Sequence, residues 1–419
     1  MAELRDYIKV KHGFAFKGDH ITTNDNGIVL VTPGNFSISG GFKEEKCKFF
    51  DGEYPTDYVL RPGDLIVTMT DLSKAIDTLG YSALVPKSER TYLHNQRIGL
   101  VKIIDEKRLD KHYLYWFMRT SYYQKTIAAT SSGSTVHHTS PDRIMDVEIE
   151  LPDLEKQRAV ATFMDNIESK INTNKQINKN LEQQAVVLFR SWFTTFCLSS
   201  NKPRVNSEFG EIPEDFAVVK VGSLPMLVTD YVANGSFASL KANVNLYQEP
   251  NYAYFIRNTD LKSGSFSIFV DQHSYEFLSK STLYGGEIII SNVGDVGSVF
   301  LCPKLDGRMT LGNNIIMLRP EDDHLRYYLY IWFKYLQGQA LIQGIKGGSA
   351  QPKFNKTDFK NTSVLIPPKD ILARFYETVA PMFEMISQRQ TEIAHLADLR
   401  DTLLPKLMSG EIDVSDLNL

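Results

Sequence analysis

LPDLEKQRAVATFMDNIESKINTNKQINKNLEQQAVVLFRSWFTTF, residues 151–196, is the stretch around which the rest of the chain is organised. After Pro152 it contains no further Pro and no Gly, so the spacing predicts one long helix. Val160, Met164, Ile167, Ile171, Asn174, Asn178, Leu181, Ala185, Leu188 and Trp192 recur at alternating steps of four and three. That is the a/d seam of a coiled coil rather than the broad apolar face of a globular helix. At 1.5 Å per residue such a helix spans about 60 to 65 Å.

The same register returns 215 positions later. Phe375, Val379, Met382, Ile386, Arg389, Ile393, Leu396, Arg400, Leu403 and Leu407 each match a seam position of the first stretch, and the polar interruption recurs, with Arg389 answering Asn174. Two matched seams in one chain most simply pair as an antiparallel coiled coil. A centred pairing brings Asn174 and Arg389 together, where a buried polar pair fixes register at some cost in stability. Pro381 falls more than two turns into the second stretch, so the second helix is expected either to start near it or to bend there.

The segments before each helix also correspond. LRPGDLIVTM at 60–69 matches LYGGEIIISN at 283–292 with a shift of 223. From Tyr113 onward the shift settles at 215: YLYWF answers YLYIW, and Gly133-Ser134-Thr135 answers Gly348-Ser349-Ala350. The chain therefore reads as an internal duplication. Its parts are a first domain at 1–150, a spacer helix at 151–200, a second domain at 201–365 opening with a linker at 201–213, and a second spacer helix with a tail at 366–419. Within the first domain, Gly27–Val31, Asp64–Met69 and Ile98–Ile104 read as strands, and Lys111–Ala129 as a single aromatic-rich helix. The fold class is α+β or mixed α/β.

With 419 residues, 42% hydrophobic and 23% charged, the composition is that of an ordinary globular protein of two or three domains. No apolar run reaches membrane-span length and MAELRDYIKV lacks a signal-peptide core, so a cytoplasmic protein with no membrane partner is expected. Cys47, Cys197 and Cys302 have neither pairing number nor CxxC spacing, which argues against a disulfide framework or a zinc site. The net charge of -4 argues only weakly against a nucleic-acid partner, because a basic face can sit opposite acidic ones.

The two helix stretches, together with GEIPEDF (210–216), IPPKDILARFYETVAP (366–381) and DTLLPKLMSGEI (401–412), resemble the specificity subunit of type I restriction-modification systems. The likeness covers essentially the whole chain. It implies two target-recognition domains alternating with two spacer helices, each domain reading one half of a split double-stranded DNA target and the helix pair setting the gap. It also implies two docked methyltransferase subunits, joined by restriction/translocase subunits in the larger complex. S-adenosylmethionine, ATP and Mg are then expected on those partners, with no cofactor in this chain.

Motifs for independent catalysis are weak. There is no GxxxxGK[ST], no HExxH and no Asn/Asp-Pro-Pro-aromatic motif; Pro367-Pro368 sits between Ile366 and Lys369. Asp153, Glu168 and Lys170 imitate a nuclease pattern, yet helical rise puts the last two about 20 Å beyond Asp153. A stand-alone nuclease or methyltransferase, and a coiled-coil scaffold without DNA, are the competing readings.

The candidate DNA contacts are loop groups able to bond base edges or phosphates. The first half offers Lys11, His12 and Lys17; Thr70, Asp71, Ser73 and Lys74; Asn95, Gln96 and Arg97; then Ser132, Ser134, His137 and His138. From the second half come Ser291, Asn292 and Asp295, Asn313 and Asn314, and Lys346, Ser349, Gln351 and Lys353. Gln96, Arg97 and Asn313 stand out, since Arg matches guanine and Asn or Gln matches adenine with two bonds. The clusters Tyr113, Tyr115, Trp116, Phe117 and Tyr328, Tyr330, Trp332, Phe333 could stack on bases, but their helical spacing favours core.

Overall fold

The computed structural model describes residues 2–416 except 39, 46, 72–75, 77, 134–135 and 349–350. It separates into two compact units, one made of residues up to Lys170 together with those from Leu396 onward, the other of Ile171–His395.

In unit 1 a five-stranded sheet has the order Ile21–Thr22, Lys48–Phe50, Ile28–Val31, Thr91–His94, Val59–Leu60. A four-stranded sheet has the order Ile8–His12, Ile98–Ile103, Leu65–Thr68, Ser82–Leu84. Unit 2 repeats both. Its five strands are Leu246–Tyr247, Phe269–Val270, Ala253–Ile256, Arg308–Leu311 and Thr282–Leu283, and its four are Met226–Asp230, Ile315–Pro320, Ile288–Ser291 and Val299–Leu301. Each five-stranded sheet contains one parallel pair, Thr91–His94 beside Ile28–Val31 and Arg308–Leu311 beside Ala253–Ile256. Strand for strand, the two halves share one topology.

The strand composition follows from burial on both faces. Ile289, Ile315 and Met317 pack on Ile256, Met309 and Leu311 of the five-stranded sheet. Their neighbours Ile288, Ile290, Ile316 and Leu318 pack on the opposite side, against the aromatic helix and the long helices. A strand with two covered faces reads as a continuous apolar run instead of an alternation. The aromatic clusters belong to this second layer: Trp116, Tyr113, Trp332 and Tyr328 are fully buried, so they are core and not a stacking platform. The single helix expected over Lys111–Ala129 is two, Lys111–Phe117 and Ser121–Ala129. Thr120 interrupts it by accepting the Tyr123 N–H on its side chain at 3.3 Å and so capping the second piece.

The expected linker at 201–213 is also corrected. Arg204–Ser207 and Gly210–Pro213 form an antiparallel hairpin. Ile212 is buried and the Phe209 ring meets Trp332 edge-on at 5.3 Å, so apolar anchoring at the turn and in the second strand folds the segment onto unit 2.

The first long helix runs Leu154–Phe193 and the second Lys369–Met408, each 40 residues and about 60 Å. Pro381 does not start the second helix, which is unbroken from Lys369. Pro381 is exposed, as is Glu377, whose carbonyl loses its helical donor, so the missing bond faces water. Val160, Met164, Ile167, Ile171, Asn174, Phe375 and Val379 are buried, whereas Leu181, Leu188, Met382, Ile386, Arg389, Ile393, Leu396 and Leu403 are half-buried. Toward its end the first helix buries Ala185, Val186, Phe189 and Phe193. The narrow seam widens there because the helix must cover a domain core as well as its partner helix.

Contacts inside each unit show the pairing to be antiparallel. In unit 2, Asn178 Nδ2 approaches the Ile386 carbonyl at 3.5 Å, while Asn174 accepts from Arg389 Nη1 at 3.1 Å and donates to Glu392 Oε2 at 2.8 Å. The two polar interruptions of the seams therefore meet, and Glu392 joins them. In unit 1, Arg400 Nη1 donates to Glu168 Oε2 at 2.9 Å, and Arg119 from the aromatic helix region lies 3.6 Å from the same oxygen. Asp165 on the same helix accepts from Trp116 Nε1 at 2.8 Å and lies 2.6 Å from His112 Nδ1. Unit 2 uses different chemistry at the matching place: Tyr327 stacks on Phe383 at 4.4 Å, and Tyr330 and Lys334 both donate to Glu182 at 2.6 Å.

Asn174→Ala is expected to destabilise unit 2 by about 1–3 kcal/mol, because the half-buried Arg389 guanidinium loses an acceptor. Replacing Asn174 and Arg389 together with Leu is expected to cost less than Asn174→Ala, since the guanidinium is then not stranded, although the half-buried Glu392 gives up its bond from Asn174. Denaturant midpoints of the two variants against the parent chain test this ordering.

Candidate nucleic-acid interface

At one end of the unit 1 sheets, four segments distant in sequence are joined by backbone hydrogen bonds. Phe14 N–H donates to His94 O at 2.8 Å, Met69 N–H to Arg97 O at 2.8 Å, Thr139 N–H to Met69 O at 3.1 Å, and Ser132 N–H to His138 O at 3.0 Å. Similar stitching, three bonds of it at the equivalent positions, recurs in unit 2. Gly312 N–H donates to Ile256 O at 2.8 Å, Asn292 N–H to Asn314 O at 3.1 Å, Phe354 N–H to Asn292 O at 3.0 Å, and Gly347 N–H to Lys353 O at 2.8 Å. Sequence-separated loops rich in polar groups are thereby held on a rigid base, the usual construction of a recognition surface.

Gly133 and Gly348 show how closely the last loop is built. Both have positive φ, 104° and 84°, and a Cβ would meet the carbonyl oxygen three residues ahead, at 2.0 Å from Val136 and 2.6 Å from Gln351. Only Gly allows that approach.

The sequence-predicted contacts fall into three groups. His12, Lys17, Gln96, Arg97, Ser132 and His138 in unit 1 are exposed, as are Asp295, Asn313, Asn314, Lys346, Gln351 and Lys353 in unit 2; His137 and Asn292 are half-buried. Gln96-Arg97 and Asn313-Asn314 occupy the same tight turn between the two sheets of their units, and Asn314 adopts the left-handed conformation at φ 64°. A second group is spent internally, which corrects the expectation of direct contact. Lys11 lies within a strand and donates to the Asp57 carbonyl at 3.0 Å over the Tyr58 ring. Thr70 and Asp71 are buried in a short ladder opposite His138 and His137, with Thr70 Oγ1 3.2 Å from His138 Nδ1. Asn95 is buried and accepts the Arg97 N–H at 3.0 Å, and Ser291 is fully buried at the end of its strand. These residues shape the surface instead of presenting it. The third group, Ser73, Lys74, Ser134 and Ser349, lies outside the described residues.

Buried polar atoms with no protein hydrogen-bond partner concentrate at these two ends. Among the described residues they include His94 Nδ1, His137 Nδ1 and Thr139 Oγ1 in unit 1, and Asn258 Oδ1, Ser291 Oγ and Asn292 Oδ1 in unit 2. Such groups are costly in a folded core and cluster where a ligand or water completes them. Thr139 and Asn258 were not legible as candidates in the sequence. The one available signal for Asn258 is Arg257-Asn258-Thr259-Asp260, a strand-to-helix turn in which Asp260 accepts the Arg257 N–H at 2.9 Å.

The nuclease-like triplet is dismantled by the geometry. Asp153 accepts the Lys156 N–H at 2.9 Å as a helix cap, and Glu168 is engaged by Arg400. Among the described residues no group of three or more His, Cys, Asp or Glu is placed to hold a metal, and no helix is long and apolar enough to cross a membrane.

A sequence profile described as the type I restriction modification DNA specificity domain matches residues 1–183 and again 213–396. The chain belongs to this family. The two matches reproduce the duplication. Among its relatives, the MjaIX specificity subunit of Methanocaldococcus jannaschii is 28% identical over 345 residues, covering 81% of this chain and 76% of that protein. The EcoBI specificity subunit of Escherichia coli is 23% identical over 426 residues, covering 96% and 84%. The crystal structure of a type I restriction-modification S subunit from M. genitalium superposes with a TM-score of 0.53 at 16% identity, covering 97% of this chain and 95% of that one, and so shares the fold. As a type I specificity subunit the chain has a DNA-recognition role and is non-catalytic.

His94 provides a pH test of the unit 1 scaffold. Burial outweighs its hydrogen bond to the Ile98 carbonyl at 2.8 Å and holds its pKa down at about 4. The folded state then holds the ring neutral. Its stabilisation is complete above the ordinary value near 6.5 and is lost as pH falls from there toward 4, by on the order of 3 kcal/mol. Unfolding of the parent chain and of His94→Gln, followed by denaturant between pH 7 and 4, is expected to show a steeper loss for the parent.

Proposed function

We propose that each unit reads one half of a bipartite double-stranded DNA target and that the long helices set the unread gap between the halves. The observation that carries this reading is one scaffold used twice with different side chains at its tip: Gln96-Arg97 in one copy, Asn313-Asn314 in the other. Identical scaffolds with different donors and acceptors suit two half-sites of different sequence.

In this reading two methyltransferase subunits dock on the chain and restriction/translocase subunits join the full complex. S-adenosylmethionine, ATP and Mg belong to those partners. The assembly works on DNA in the cytoplasm. The helices supply the docking surface and the ruler, and neither unit needs chemistry of its own.

Co-expression with the neighbouring methyltransferase gene, followed by mapping of methylated positions across a genome, tests the reading. A bipartite motif with a fixed gap is expected. Arg97→Ala is expected to relax one half-site by about 1–3 kcal/mol at a single base and to leave the other half intact. Removing seven residues between Asn172 and Leu181, with the facing seven of the second helix, shortens the strut by about 10 Å. The preferred gap should shrink by about three base pairs at roughly 3.4 Å each. An unchanged gap refutes the ruler.

A further inference from the structure

The loop between the strands Ile288–Ser291 and Val299–Leu301 carries Asp295 into the unit 2 tip. Three donors converge on one of its carboxylate oxygens: Lys262 Nζ at 2.5 Å, Ser298 Oγ at 2.6 Å and Asn258 Nδ2 at 3.4 Å all meet Oδ2. Burial works against the charged form, but these three bonds prevail and hold the carboxyl below its usual range, so it is ionised. The side chain is still 42% exposed, and among the described residues no protein donor reaches its second oxygen, Oδ1. Beside it, Asn258 has its amide nitrogen turned to Asp295 and its carbonyl oxygen buried without a protein partner. The loop itself is fixed, with Gly294 N–H donating to Pro352 O at 2.8 Å and Gly297 N–H to Ser291 O at 2.9 Å.

One exposed, oriented and anionic acceptor suits a group that donates. It repels phosphate. On a DNA face the matching donors are the exocyclic amino groups that cytosine and adenine expose in the major groove, and carboxylates pair with that of cytosine. Resting on the reading of unit 2 as a half-site reader, we propose that Asp295 is a specificity-determining residue that accepts a hydrogen bond from a base amino group, cytosine N4 by preference. Ser298 and Asn258 set the angle of the carboxylate, while Lys262 carries positive charge toward the adjacent phosphates.

The test uses the chain assembled with its methyltransferase subunits on a library of randomised targets. Asp295→Ala should lose discrimination at one base of a single half-site by about tenfold or more, the size of one good base contact. The other half-site and the gap should not change. Asp295→Asn, which preserves the shape of the loop, should weaken the same position. Lys262→Ala separates reading from scaffolding: it should lower affinity for all sequences alike and reduce the salt dependence, with base preference retained. Unchanged base preference in Asp295→Ala overturns the proposal, and so does loss of that preference in Lys262→Ala. A parent complex with no sequence preference at all overturns the half-site reading itself.

Discussion

A helix of 40 residues is stable in water only if a stripe of it is buried, because helix propensity alone contributes little. In this chain the stripe is covered by residues more than two hundred positions away. In unit 1 the first helix buries Val160, Phe163, Met164 and Ile167, and the unit is completed by the chain from Leu396 onward, tied at its far end by Lys156 and Asp413 at 3.2 Å. In unit 2 Phe189, Phe193 and Phe375 close on one another with ring centroids 5.0 to 6.0 Å apart. Neither half is a sequence-contiguous module. Each needs a helical segment from the other repeat to cover its own.

The recognition ends depend on that rigidity. Strands covered on both faces leave the sheets little freedom, so tight turns at their ends hold exposed side chains in place without a large local core. The same stiffness explains why buried polar atoms such as Ser291 Oγ and His94 Nδ1 persist without protein partners. The surrounding packing outweighs the local cost, a pattern found where a site is shaped for something other than the fold.

The large-scale architecture was legible because it rests on periodicity and repetition. The a/d spacing exposed the helices, and the constant 215-residue shift exposed the duplication. The meeting of Asn174 with Arg389 followed from register alone. Local features were less readable where tertiary packing overrode them. Pro381 does not interrupt its helix, since the affected carbonyl is solvated. Thr120 splits a helix whose apolar pattern runs straight through it, and the polar run at 203–213 is a hairpin because Phe209 and Ile212 find a core. Residue type separated presented from internal groups least well. Arg97 and Asn95 are two positions apart, yet one is exposed and the other buried, and only the turn that joins them makes the difference.

The two repeats keep their topology but not the chemistry by which each aromatic helix meets the long helices. Trp116, His112 and Arg119 face the carboxylates of Asp165 and Glu168, whereas Tyr327 and Tyr330 face the ring of Phe383. Position 168 in one copy corresponds to 383 in the other, so a guanidinium's counter-ion in the first half is a phenyl ring in the second. Anyone grafting a recognition segment from one half onto the helix of the other would set Arg119 against an aromatic face and strand Trp116 beside Ala380. The natural unit of exchange is therefore larger than the segment between the helices: it takes the matching helical residues with it.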